Sequence, residues 1–155
     1  MNSTFVAGIF ARGGSKGLPG KNLLSIAGQS LMERAVKTAK GLPFIHDVYC
    51  STDSPAIASE ALRSGALVPW YRPDELAQDT SREWDSWVHM ISWLRSKQTY
   101  PDYLMTVPLT APLRTTEDLR ICAEAADDTG ADVVFGVYES SKNPWFTMVT
   151  REDGS

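Results

Sequence analysis

Only two cysteines, Cys50 and Cys122, and two histidines, His46 and His89, occur among the 155 residues. The cysteines form no C-x-x-C, and no histidine stands beside a cysteine, so no zinc-ligand spacing is present. So few thiols fit a reduced, cytoplasmic setting. No signal-peptide pattern is read, and no apolar run is long enough to cross a bilayer. Positive charge is in deficit: 15 Lys and Arg against 19 Asp and Glu leave a net charge of −4, which argues against a nucleic-acid surface. Internal repeats and low-complexity stretches are also missing. What remains is an ordinary globular composition, 43% apolar and 22% charged, in a chain long enough for one domain with a real core.

Against this acidic background, cations gather in one place. Residues 11–22, Ala-Arg-Gly-Gly-Ser-Lys-Gly-Leu-Pro-Gly-Lys-Asn, follow an apolar run over residues 4–10 that reads as a buried parallel strand. Gly13, Gly14, Gly17 and Gly20 let the backbone approach a ligand and turn its N–H groups inward. Arg12, Lys16 and Lys21 add fixed positive charge, so the natural guest is a polyphosphate. Two familiar fingerprints are absent. There is no Gly-x-Gly-x-x-Gly, and Gly20-Lys21 lacks both the earlier glycine (Ser15 stands there) and the hydroxyl (Asn22) of a P-loop. The alternative is a solvated surface turn rich in glycine and lysine.

The rest of the chain alternates strand and helix. A helix is expected over residues 30–40, ended by Gly41 and Pro43, then a strand over 47–51. Ser54 fits an N-cap with Pro55 at the first helical position, and Gly65 closes that helix. A short third strand over 66–70 carries Pro69, which suggests an edge or strand end. The polar stretch 71–81 is too long for a tight turn. A helix over 82–96 follows, capped by Asp79 or Thr80, with Trp84, Trp87, Val88, Ile91 and Leu94 at helical spacing and read as core. His89 in that helix reads as structural. A fourth strand over 102–107 runs into the proline-braced loop 108–114, Thr116 caps a helix to about Asp127, and a fifth strand is expected over 131–138. This order predicts an α/β fold: a doubly wound, mostly parallel sheet in a three-layer α/β/α arrangement. Ligands of such sheets gather at the carboxyl edge, which the loops at Arg12, Thr52, Arg72 and Thr110–Arg114 should all face.

Four segments together resemble one family. Residues 11–22 are similar to the signature loop of the acylneuraminate (CMP-sialic acid synthetase) cytidylyltransferases, and Ser51-Thr-Asp53 to their second-strand end. Arg72-Pro-Asp-Glu-Leu-Ala-Gln-Asp-Thr80 resembles their Arg-Pro-x-Glu-Leu-Ala-x-Asp-Thr segment, and Thr110-Ala-Pro-Leu-Arg114 their turn after the fourth strand. Family members often carry a glutamine two residues before that threonine, where this chain has Pro108. The resemblance covers nearly the whole chain and implies a Rossmann-like nucleotidyltransferase fold. It also implies transfer of CMP from CTP to a 2-keto sugar acid such as N-acetylneuraminic acid, with Mg²⁺ and release of pyrophosphate. Relatives acting on Kdo, legionaminic or pseudaminic acid would share the loop, and a nucleotide-binding fragment without turnover is the contrasting reading.

By position, the resemblance gives Arg12 and Lys21 the catalytic work of holding the triphosphate and stabilising the leaving group. Gly13, Gly14, Ser15, Lys16, Gly17, Asn22 and Arg72 become nucleotide contacts, and Thr110 and Arg114 substrate contacts. It assigns no metal ligand here: the Mg²⁺ ligands are expected beyond residue 155, with a homodimerisation segment starting near residue 140, where Pro144-Trp-Phe146 offers apolar anchors. Each residue also has a plainer reading. Arg12, Lys16 and Lys21 could be solvated charge, Asp53 a cap, Asp79 a loop-fixing residue, and Arg114 a brace for its own loop.

Overall fold

A computed structural model describes residues 1–14 and 20–137. The sheet is parallel with order β4-β1-β5, built from β1 (Phe5–Phe10), β4 (Val48–Ser51) and β5 (Tyr103–Thr106). Between β1 and β4 lie a small hairpin, β2 (Ser25–Ile26) and β3 (Gln29–Ser30), and helix α1 (Leu31–Lys40). Helices α2 (Pro55–Arg63) and α3 (Glu83–Ser96) separate β4 from β5, and α4 (Thr116–Thr129) follows.

Alternating residues of β1 and β4 face two different cores, because successive strand side chains point to opposite faces. Ala7, Ile9, Val48 and Cys50 pack with Met32, Val36, Ile57, Ala61 and Leu119, so α1, α2 and α4 cover one face. Val6 and Tyr49 pack with Met90 and Leu94 of α3 on the other, with Phe10, Trp70 and Trp93 partly buried beside them. This is the expected three-layer, doubly wound arrangement. A Cβ at Gly8 would stand 2.8 Å from the Phe10 ring and 3.0 Å from Met90 Sδ, so the bare backbone lets Phe10 lie along the strand under α3.

Several local expectations hold. Ser54 caps α2 with Pro55 behind it, and the helix expected over residues 30–40 is α1, which Ser30 precedes as a cap accepting from Glu33 N. Others are corrected. The third strand shrinks to one parallel bridge, Tyr49 with Leu67, since Pro69 has no N–H to extend the ladder. The cap of α3 is Arg82, without a side-chain bond, because residues 74–76 form a short 3₁₀ turn that carries Asp79 towards Arg12 instead. The cap of α4 is Thr115, in a capping box with Asp118, one residue before the expected position. Residues 131–137 form no strand: Val133, Phe135 and Val137 are all exposed, and an alternating pattern becomes a strand only when an edge pairs with it. Residue 138 and the anchors at 144–146 lie outside the described residues. Trp84 and Val88 are exposed and not core, because the stripe that α3 buries is Ser86, Met90 and Leu94 at four-residue spacing. The hairpin was not anticipated; Ala27 and Gly28, both at positive φ, turn it as a two-residue loop.

Candidate functional site

The carboxyl ends of β1 and β4 are tied together before any ligand is considered. Ala11 N donates to Ser51 O at 3.0 Å, Arg72 N donates to Thr52 O at 2.8 Å, and Gly13 N donates to Asp53 Oδ1 at 2.8 Å. Gly13 comes so close to α2 that a Cβ there would meet Ser54 Cβ at 3.0 Å. Among the described residues, nothing lies within 4 Å of a Cβ placed at Gly14, so packing does not require a glycine there. Gly20 adopts φ +68 at the start of the short turn Lys21–Leu23, a conformation that favours glycine.

Two arginines meet at this edge by different means. Arg72 is buried, at 7% exposure, which requires that its guanidinium be satisfied. Its Nε donates to Ser51 Oγ at 3.2 Å and its Nη2 to Ser51 O at 2.8 Å. Burial lowers its pKa from the usual arginine range, Asp53, Cys50 and Glu83 push it back up, and the nearby Arg12 charge lowers it further. Two of its five N–H groups are thereby committed to Ser51. Arg12 is one-third exposed and pairs with Asp79 at 2.6 Å. The carbonyl of Arg12 also accepts from Asn22 Nδ2 at 2.9 Å, so buried Asn22 stitches the two arms of the glycine loop. Cys50 lies beneath Arg72; desolvation pushes its thiol up to about 12, so it stays protonated and unreactive.

Phe10, Arg12, Arg72, Leu76, Gln78, Asp79, Glu83 and Ser86 line an open cleft of about 190 Å³ between this edge and the first turns of α3. Thr110 and Arg114 are placed elsewhere along the same edge. Thr110 is exposed in its turn, and Arg114 donates to Pro108 O at 3.3 Å, bracing its own loop beside a smaller hollow shared with Arg34 and Thr38 of α1. Ser15, Lys16 and Gly17 lie outside the described residues. Asp79 fixes the loop through Arg12, in line with its plainer reading, whereas the bond of Asn22 to the Arg12 carbonyl is a contact that no local pattern announces. Among the described residues, no group of three His, Cys, Asp or Glu side chains could hold a metal ion, so they do not by themselves fit a Mg²⁺ site.

A doubly wound parallel sheet with two arginines gathered at its carboxyl edge belongs to the class of nucleotide-binding α/β domains. Residues 6–90 match the sequence profile described as Cytidylyltransferase, and the chain belongs to that family. CMP-N,N'-diacetyllegionaminic acid synthase of Legionella pneumophila is 34% identical over 95% of this chain and 63% of its own length. N-acylneuraminate cytidylyltransferase A of Danio rerio is 32% identical over 88% of this chain and 31% of its own length. The chain thus spans less than two thirds of these curated relatives. A solved CMP:2-keto-3-deoxy-manno-octonic acid synthetase complexed with CTP superposes with a TM-score of 0.67 at 22% identity, covering 83% of this chain and 49% of that one. That likeness shows the fold. Among the described residues, no helix is long and apolar enough to cross a membrane.

Proposed function

We propose that the protein of which this chain forms all or part transfers CMP from CTP to a 2-keto sugar acid and releases pyrophosphate. The observation that carries this reading is the convergence of Arg12 and buried Arg72 on one cleft, in a chain 34% identical to a CMP-sugar-acid synthase. In such a transfer the sugar's anomeric hydroxyl attacks the α-phosphorus, and negative charge grows on the phosphoryl oxygens and the leaving pyrophosphate. The chain's task is therefore positioning and electrostatic stabilisation. The N–H of Gly14 and the side chains of Arg12 and Lys21 hold the triphosphate, while the N–H of Gly13 stays on Asp53 and fixes the loop against α2. Arg12 must exchange Asp79 for phosphate oxygen as the nucleotide enters. Arg72, fixed by Ser51, orients the nucleoside side, while Asn22 keeps the two arms of the loop at the right separation. Ser15, Lys16 and Gly17 complete the cradle, and Thr110 and Arg114 face the sugar acid from the neighbouring loop.

The legionaminic acid relative favours a nine-carbon acceptor of that kind, with N-acetylneuraminic, pseudaminic and Kdo substrates as the competing choices. Mg²⁺, when bound, supplies charge neutralisation at the phosphates, through ligands other than a cluster among the described residues. A single nucleotide-binding domain acting as a homodimer in the cytoplasm, with its dimer segment starting near residue 140, completes the proposal.

Two measurements test it. Titration of CTP into the protein should show binding, and pyrophosphate release should appear with one of N-acetylneuraminic, N,N'-diacetyllegionaminic, pseudaminic or Kdo acids. Failure to bind CTP overturns the proposal.

A further inference from the structure

The loop after β5 is anchored at both ends and held weakly between them. At its start, Val107 N donates to Gly8 O at 2.9 Å, and Val107 and Leu109 are buried. At its end stand the Thr115 capping box and Thr116 Oγ1, which donates to Thr38 O of α1 at 3.1 Å. In the middle the bonds are long: Ala111 N to Pro108 O at 3.4 Å, Arg114 N to Ala111 O at 3.3 Å, and Arg114 Nη2 to Pro108 O at 3.3 Å. Pro112 has no N–H to add. A side chain of α1 reaches this middle stretch. Arg34 Nε donates to Pro112 O at 3.4 Å, 78 positions away, while Arg34 Nη1 donates to Gln29 Oε1 of β3 at 3.3 Å. The hairpin of β3 follows directly on the turn Lys21–Leu23, and Leu24 O accepts from Leu31 N at 2.9 Å to seat that turn on α1.

We propose that Arg34 is a positioning residue, a clamp that fixes loop 108–114 against the hairpin next to Lys21. This rests on the CMP-transfer reading above, in which Lys21 holds phosphate and Thr110 and Arg114 face the sugar acid. Strands β1 and β5 are neighbours, so the segments leaving their carboxyl ends lie side by side, and the two substrates meet where those segments do. A guanidinium suits the task. Its Nε and Nη1 sit on different edges of one rigid plane, so covalent geometry sets the span between the two bonded oxygens. A lysine ammonium reaches either oxygen but fixes no span. Both oxygens are uncharged and both bonds are long, so the clamp adds little stability. Transfer is more demanding than folding here, because a misplacement of about 1 Å costs about a hundredfold in rate.

The test uses the intact protein as wild type, Arg34→Met, Arg34→Lys, Gln29→Ala and the double variant Arg34→Met with Gln29→Ala. Pyrophosphate release is followed with N,N'-diacetyllegionaminic acid, or with the one of N-acetylneuraminic, pseudaminic and Kdo acids that the wild type uses. CTP affinity comes from calorimetry and Tm from thermal melts. Arg34→Met should lower kcat about tenfold or more, with CTP affinity within about twofold. Its Tm should stay within about 3 °C of the wild type. Arg34→Lys should recover little of the lost kcat. Gln29→Ala should reproduce the loss, and the double variant should be no slower than Arg34→Met, because both ends belong to one clamp. An unchanged kcat in Arg34→Met, full activity in Arg34→Lys, or losses that multiply in the double variant overturn the assignment and leave the transfer reading standing. So does a fall in CTP affinity that matches the fall in kcat, which would make Arg34 a support of the nucleotide site alone. A wild-type protein that releases no pyrophosphate with any of the four acids removes the transfer reading and this inference with it.

Discussion

The two ends of the parallel sheet use the same chemical groups for opposite purposes. At the amino end, carboxylates are consumed by backbone. Asp102 accepts from Thr4 N at 2.7 Å and Thr4 Oγ1 at 2.8 Å, and Asp127 accepts from Ser3 N at 2.7 Å and Asn2 N at 3.0 Å. These bonds hold both carboxyls below the usual aspartate range and pin the chain as it enters β1. At the carboxyl end, guanidinium groups converge instead, one buried and one paired across an exposed gap. The contrast teaches where this fold keeps its stability and where it holds binding capacity in reserve. A stabilising end satisfies every polar group internally, whereas a binding end leaves part of that work to the ligand.

Substitutions should separate the two ends, and the largest effect belongs to the one residue that serves both purposes. Arg72→Met strips the buried Ser51 carbonyl and hydroxyl of their donor and should lower stability by about 2–4 kcal/mol while abolishing measurable CTP binding. Denaturant melts and calorimetry read the two losses together. Arg12→Ala should divide them: its ion pair with Asp79 is partly exposed, so stability should change by less than about 1 kcal/mol. CTP affinity should nevertheless fall about tenfold or more, the scale of a hydrogen bond to a charged group. Lys21→Ala should behave like Arg12→Ala with a smaller loss. If Lys21→Ala lowers Tm as much as it lowers affinity, that lysine belongs to the packing of its turn.

The line between what could be read in the sequence and what could not follows the same divide. The apolar alternation of β1 and β4 and the helix stripe of α1 announced the layers, because burial on two faces leaves a periodic trace. The glycine and arginine positions of the loop announced the cationic edge. Pairings between distant segments left no such trace. Asp79 reads as a cap or a loop-fixing residue, but nothing local names its partner until the 3₁₀ turn at residues 74–76 carries it to Arg12, 67 positions away. Residues 131–137 carry a strand's alternation without a strand's pairing, since pattern records what a segment can bury and not whether an edge meets it. Trp84 failed for a similar reason: it shares the helical period of the core but falls on the solvent side of α3.

The smallest expected effects lie away from the cleft, at the cap of α4 and at the amino end of the sheet, and they sharpen the comparison because they should leave binding untouched. Thr115→Ala removes the hydroxyl of the α4 capping box and should lower stability by about 1 kcal/mol with no change in CTP affinity. Acid should act more gently still. Asp102 and Asp127 have folded-state pKa values below their unfolded ones, so the stability they contribute is fully present above the unfolded value of about 4. It is lost as pH falls through the folded values, because the unfolded state then binds protons more readily than the native state. Tm followed from pH 6 to pH 2 should therefore decline below about pH 4 in the wild-type chain, and less steeply in Asp102→Asn and Asp127→Asn. CTP titrations at pH 7 should not distinguish the three proteins. An equal acid slope in both variants would mean that these carboxylates do not govern how β1 is held, and that the amino end draws its stability from the packed faces of the sheet.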